Sequence, residues 1–219
     1  MKKHLLAVAV TALAAGSVFA QANDTLAKIK ASGSITLGVR ESSGALAYTL
    51  GDGKYVGFHT EMAERITSDL RKQLGMTALD IKYQPVTSQN RIPLVTNGTV
   101  DLECGSTTND ANRQKDVAFA ITTYVEEVRI AVKAKSGITG IKDLKGKTIA
   151  TTTGTTSVQT LRKNKRAEGI EFKEVFGKDH ADSFLLLETG RADAFVMDGS
   201  ILAGNISKAK TPSDFKIVG

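Results

Sequence analysis

The stretch VDLECGSTTNDANRQ, Val100 to Gln114, starts like a buried strand. It then breaks into Ser106, Thr107, Thr108 and Asn109, with Arg113 one helical turn further on. Hydroxyls and a guanidinium this close can converge on an anionic oxygen, because the guanidinium's paired donors match a carboxylate. A solvated loop is the plain alternative, since Ser, Thr, Asn and Gly are ordinary loop residues. A second run, Gly154-Thr155-Thr156-Ser157, follows strand TIATTT and opens a helix. A helix start offers free N–H groups and the positive end of its dipole, which favours an anion. One hydroxyl is enough for an N-cap, so three after a glycine point beyond capping. Asp198, closing ADAFVMD, is a third polar strand end.

Other chemistry finds little to work with. The histidines are His4, His59 and His180, with no metal-ligand spacing and no serine nucleophile motif. Gly146-Lys147-Thr148 looks like the tail of a phosphate loop. However, Ile141 stands where the first glycine belongs, and the piece precedes a strand instead of following one. Cys104 is the single cysteine, so no intrachain disulfide can form. The formal charge is +6, and removal of Lys2 and Lys3 with the leader lowers it to 6 − 2 = +4. So mild a balance, without aromatic-rich basic clusters, argues against nucleic acid as a partner.

The elements that must position these groups follow in a repeated order. MKKHLLAVAVTALAAGSVFAQA, residues 1–22, reads as a secretory signal peptide cut after Ala20 or Ala22, its apolar run being too short to span a bilayer. Roughly 200 residues remain, enough for one large or two small domains. A short helix with Leu26 and Ile29 is capped by Asn23 or Asp24 and closed by Gly33. Strand SITLGVR (Ser34 to Arg40) and a Ser- and Gly-containing loop follow. A helix from Phe58 to Leu74 stacks Met62, Ile66 and Leu70. Next come strand LDIKYQPV, a short helix QNRIPLVTN behind Ser88, and strand VDLEC. From Val128 the order begins again: EVRIAVKAK and LKGKTIATTT as strands, a helix to about Arg166, strand EFKEVF, a helix over 182–189, strand ADAFVMD, and a helix over 201–209. Two α/β units joined through ITTYVEEV predict two lobes around a cleft, with polar runs where the strands end.

RESSG at Arg40, TSQNRIPL at Thr87, NGTVDLECGSTTN at Asn97, RQK at Arg113, DLKGK at Asp143, GTTS at Gly154, KDHADSF at Lys178 and MDGSILAG at Met197 carry a resemblance. Together they resemble the polar amino-acid (family 3) solute-binding proteins of ABC importers. TSQNRIPL with ECGSTTN resembles the branch that binds glutamate and aspartate. The resemblance implies a bilobed type II periplasmic-binding-protein fold: lobe one over 23–124, lobe two over 125–213, and a strand starting back toward lobe one over 214–219. It also implies that the family continues past Gly219 and that the last part of lobe one is absent.

By the same resemblance, Arg113 holds the ligand's α-carboxylate with Ser106 and Thr108, Thr156 adds an N–H and a hydroxyl, and Asp198 accepts the α-ammonium. Arg40, Ser88, Arg91 and His180 match positions that contact a side-chain carboxylate. A second carboxylate explains why one site would draw on three arginines. Taken singly, Arg91 reads as a solvated helix residue and His180 as a surface residue after Asp179. The implied protein is a periplasmic monomer that needs no cofactor, captures L-glutamate or L-aspartate, closes by bending near Tyr124, and passes its ligand to a membrane permease. The same fold hosts a dehydratase-like enzyme and ligand-sensing domains. Every candidate group here suits ground-state binding, so binding is the expected activity and catalysis is not.

Overall fold

The computed structural model describes residues 24–219, and the expected leader lies outside them. Asp24 caps helix α1 (Thr25–Ser32), accepting from the Ala27 N–H at 3.1 Å, and Gly33 ends the helix in the left-handed conformation. These caps meet the open backbone groups that any helix leaves at its ends. The first lobe continues with β1 (Ser34–Val39), β2 (Ser42–Ser43), β3 (Ala47–Gly51), β4 (Lys54–Val56) and α2 (Phe58–Gln73). It closes with β5 (Asp80–Pro85), α3 (Arg91–Thr96) and β6 (Leu102–Glu103). The second lobe comprises β7 (Val128–Lys133), β8 (Thr148–Thr152), α4 (Thr156–Glu168), β9 (Lys173–Gly177), α5 (His180–Glu188), β10 (Ala194–Asp198), α6 (Gly199–Ser207) and β11 (Phe215–Val218).

In lobe one, β1 lies between β5 and β6, all parallel, with Ile35, Leu37 and Val39 buried against Ile29 of α1 and Ala63 of α2. Lobe two is a mixed sheet in the order β11-β7-β10-β8-β9. Its strands alternate between two cores, as the two-residue period requires. Ile130, Val132, Ile149 and Val196 face α4, while Ala131, Ala150, Phe195 and Met197 face α5 and α6. Both sheets therefore end their parallel strands at polar residues facing one cleft.

Three stretches depart from the sequence reading. The Ser/Gly region after Arg40 is a three-stranded antiparallel sheet, β2-β3-β4, and not a loop. Its strands are too short and too mixed in polarity to show a two-residue period. Helix α2 buries His59, Thr60, Ala63 and Thr67 and leaves Ile66 exposed, with Met62 and Leu70 half-buried. The hydroxyls of Thr60 and Thr67 donate to the carbonyls of Val56 and Ala63, which lets these residues pack as small apolar groups. Strand β11, expected to head for lobe one, pairs antiparallel with β7 as the edge of the second sheet. Phe215 anchors it by packing on Phe184, ring centroids 5.1 Å apart.

The small sheet joins the lobes. Asn205 Nδ2 of α6 donates to the Ser42 carbonyl at 3.2 Å, and a Cβ at Gly204 would stand 2.4 Å from Gly44 Cα. Among the described residues, no helix is long and apolar enough to cross a membrane.

Candidate functional site

The sequence-predicted residues gather in two groups at the strand ends. Arg40, just past β1, is fully buried. Its Nη1 donates to Ser88 Oγ at 3.1 Å and to Ser106 Oγ at 3.4 Å, while Nη2 pairs with Asp179 from the other lobe. Arg91 opens α3, is only 3% exposed, and directs Nη1 to Ser106 Oγ at 3.5 Å. His180 opens α5, is fully buried, and sets Nδ1 3.0 Å from Thr152 Oγ1. Among the described residues, Arg40 Nε, Arg91 Nε and His180 Nε2 are buried with no hydrogen-bond partner. Orphaned polar groups of this kind are costly, so three in one cluster mark a place built to hold a further group.

The second group surrounds Arg113, which begins a short 3-10 turn. Its Nη1 donates to the Thr108 carbonyl at 2.9 Å and its Nη2 to the Gly154 carbonyl of lobe two at 3.1 Å, with Asp110 3.6 Å from Nε. Beside it, Thr108 Oγ1 lies 3.2 Å from Thr156 Oγ1, again across the cleft. The Thr155 hydroxyl donates back to the Thr152 carbonyl at 2.9 Å and does not cap α4, so the helix's opening N–H groups keep their dipole for other acceptors. Gly154 sits at φ 81°, and a Cβ there would come within 2.7 Å of Gln89 Cα. Only glycine allows the two backbones this approach.

The electrostatics follow from burial. Desolvation pushes Arg91 down to about 9, partly offset by Glu103, so it stays cationic at neutral pH. Burial first, then the Arg40 charge, pushes His180 down to about 3, which makes it a neutral imidazole. Burial lifts Asp198 to about 6, with Glu126 adding to the rise and the Ser157 hydroxyl, 3.2 Å away, opposing it. Burial alone would raise Asp179, but Arg40, His180 and the Ser42 hydroxyl together hold it below the usual carboxylate range.

Two expectations change. The Ser106 hydroxyl stands with Arg40, Arg91 and Ser43 (3.0 Å), while Arg113 bonds the Thr108 carbonyl. His180, which taken singly reads as a surface residue, is fully buried. Sequence reasoning also missed Asp179, Ser42 and Glu103. Asp179 was legible only as the cap of α5, where it forms a capping box with Asp182. Glu103 was legible only as part of a strand, yet it faces Arg91 and takes the Thr107 hydroxyl at 2.6 Å. Among the described residues, no group of three or more His, Cys, Asp and Glu could hold a metal ion.

A family model of bacterial extracellular solute-binding proteins, family 3, matches residues 35–183. The chain belongs to this family. As a family 3 solute-binding protein it is a transport component and not an enzyme, and its fold is the bilobed type II arrangement. The glutamate/aspartate import solute-binding protein of Salmonella typhimurium is 42% identical over 100% of this chain and 74% of its own length. The L-glutamate/L-aspartate-binding protein of Pseudomonas aeruginosa is 42% identical over 98% of this chain and 72% of its own. Among solved structures, an ancestral arginine-binding protein bound to arginine superposes with a TM-score of 0.72 at 27% identity, covering 85% of this chain and 79% of that one.

Proposed function

We propose that this family 3 solute-binding protein captures L-glutamate or L-aspartate in the periplasm and delivers it to a membrane ABC permease. The observation that carries the reading is the cluster of Arg40, Arg91 and His180, whose orphaned buried nitrogens accompany two guanidiniums. Asp179 pairs with Arg40 and Glu103 faces Arg91, but the Nε–H groups of both arginines have no acceptor, and a second carboxylate would supply one. Arg113, Thr108 and the start of α4 at Thr156 take the α-carboxylate, and Asp198 takes the α-ammonium. Because these groups come from both lobes, binding is coupled to closure, with bending in the segment around Tyr124. The names of the 42%-identical relatives support the ligand class. Export would use the leader at 1–22, and a single chain supplies every ligand-binding group.

Titration calorimetry with glutamate, aspartate, glutamine and asparagine tests the reading. Both acids should bind at least tenfold more tightly than their amides, about 1.4 kcal/mol. Equal affinity for acids and amides would refute it. Glutamate and aspartate differ by one methylene, a difference of about 1–3 kcal/mol at most in such a pocket.

A further inference from the structure

A chain of buried hydroxyls runs from His180 into the fold. His180 Nδ1 is 3.0 Å from Thr152 Oγ1, and Thr152 Oγ1 is 2.8 Å from Ser183 Oγ. Ser183 Oγ in turn lies 3.0 Å from the Thr151 carbonyl and 3.1 Å from the Asp179 carbonyl. Each hydroxyl has one hydrogen, and a carbonyl can only accept. Two carbonyls this close require the Ser183 hydrogen to point at one of them. Any other direction would leave oxygen lone pairs facing one another in a dry interior. Thr152 must then donate to Ser183, and its oxygen is left to accept from His180 Nδ1–H. The direction of the chain fixes the tautomer: Nδ1 carries the proton, and Nε2 presents a bare lone pair. The charged groups around the ring are Arg40 from the end of β1, Arg91 on α3 and Asp179 at its own helix start. A lone pair suits the two guanidiniums.

We propose that Thr152 and Ser183 are positioning residues that hold His180 as the Nδ1–H tautomer, so that a side-chain carboxylate binds together with a proton taken up at Nε2. This rests on the acidic amino-acid reading of the cleft. A carboxylate oxygen and a bare Nε2 are both acceptors and repel. One proton from solvent converts the ring to imidazolium, which donates from Nδ1 to Thr152 and from Nε2 to the ligand. A side-chain amide needs no proton, because its NH2 donates to Nε2 directly. Burial keeps the ring neutral until the ligand's charge arrives.

Calorimetry of glutamate binding at pH 7.5, in buffers of different ionisation enthalpy, counts the protons. About one should be taken up per glutamate, and affinity should fall about tenfold per pH unit above neutrality. Asp198 can only release protons on binding an ammonium, so it cannot mimic uptake. Ser183→Ala removes the acceptor of the Thr152 hydrogen. Thr152 then donates to Nδ1, His180 becomes the Nε2–H tautomer, and uptake should fall toward zero. Thr152→Val, which frees Nδ1, should also reduce it, with melting curves verifying that both variants fold. Nitrogen-15 NMR reads the tautomer without any ligand, since His59 and His180 are the only histidines past the leader. Glutamate bound without uptake, an Nε2–H signal in the parent, or parent-like uptake in Ser183→Ala would each overturn the proposal. The first of these leaves the ligand reading standing. Absence of heat with both acids removes the ligand reading, and the proposal with it.

Discussion

Arg40 and Asp179 meet across the cleft, the guanidinium from the end of β1 and the carboxylate from the residue that caps α5. Ser42 completes the clasp: its hydroxyl donates to Asp179 at 2.7 Å and accepts from the Ala181 N–H at 3.1 Å. Because Arg40 is fully buried, the carboxylate compensates a charge that water cannot reach. Asp179→Asn keeps the shape and the Ser42 contact but removes the charge. The closed population of the protein without ligand should fall about tenfold or more, about 1.4 kcal/mol. Small-angle scattering should then show a larger radius of gyration than for the parent. An unchanged radius would mean that the clasp does not hold the lobes together.

Arg113→Ala should remove binding of acids and amides alike. This guanidinium bonds the Thr108 carbonyl and, across the cleft, the Gly154 carbonyl, and in the proposed site it also takes the α-carboxylate. The loss is on the order of 3–5 kcal/mol, more than a hundredfold, by analogy with a broken buried ion pair. Near-parent affinity in calorimetry would displace Arg113 from the site.

Arg40→Ala and Arg91→Ala should act on selectivity. Each leaves the side-chain carboxylate short of a partner, while an amide carries no charge there and loses less. The acid-over-amide ratio should fall by at least about tenfold, or 1.4 kcal/mol. If acid and amide affinities drop by one common factor, these arginines serve the fold and not the ligand.

What the sequence could reveal was set by how locally each feature is determined. The short apolar runs Ile130 to Val132 and Ala194 to Met197, set between helical stretches, made strands of the second sheet legible before any contact was known. The hydroxyl runs were legible because glycine and a strand end fix where they stand. The partner of Arg40 was not, since Asp179 lies 139 residues away and its local role, capping α5, accounts for it fully. His180 misled for the same reason. Its burial comes from Thr152, 28 residues away, and from Arg40 and Arg91 of the facing lobe, none of which is near in sequence.

Asp198 should give binding and stability opposite responses to acid. Its carboxyl is raised from 3.8 to about 6, chiefly by burial. The folded protein therefore holds this proton more tightly than the unfolded chain, and the destabilisation from the charged form is present above pH 6 and relieved as pH falls toward 4. The α-ammonium needs the charged form, so affinity for an amide ligand should fall about tenfold per pH unit below 6. Glutamine is the ligand to use, because its side chain takes up no proton at His180. Asp198→Asn should melt above the parent at pH 7, match it near pH 4, and bind no amino acid. A glutamine affinity that stays flat from pH 7 to 5 would show that Asp198 does not receive the ammonium.

Gly204 tests closure with the charges untouched. It lies within α6, where alanine is about 1 kcal/mol more favourable than glycine, so Gly204→Ala should not weaken the helix itself. The new methyl would stand 2.4 Å from Gly44 Cα, nearer than carbon atoms can approach, at the junction between α6 and the small sheet of the other lobe. The lobes must therefore sit further apart, which lengthens the reach from Arg40 to Asp179 and from Arg113 to the Gly154 carbonyl. Glutamate, aspartate and glutamine should all lose affinity by the same factor, at least about tenfold. The variant should melt no lower than the parent, and its scattering profile should stay open at saturating glutamate. Selective loss of the acids would place the defect in the side-chain pocket, and unchanged affinity would show that the junction yields without cost to closure.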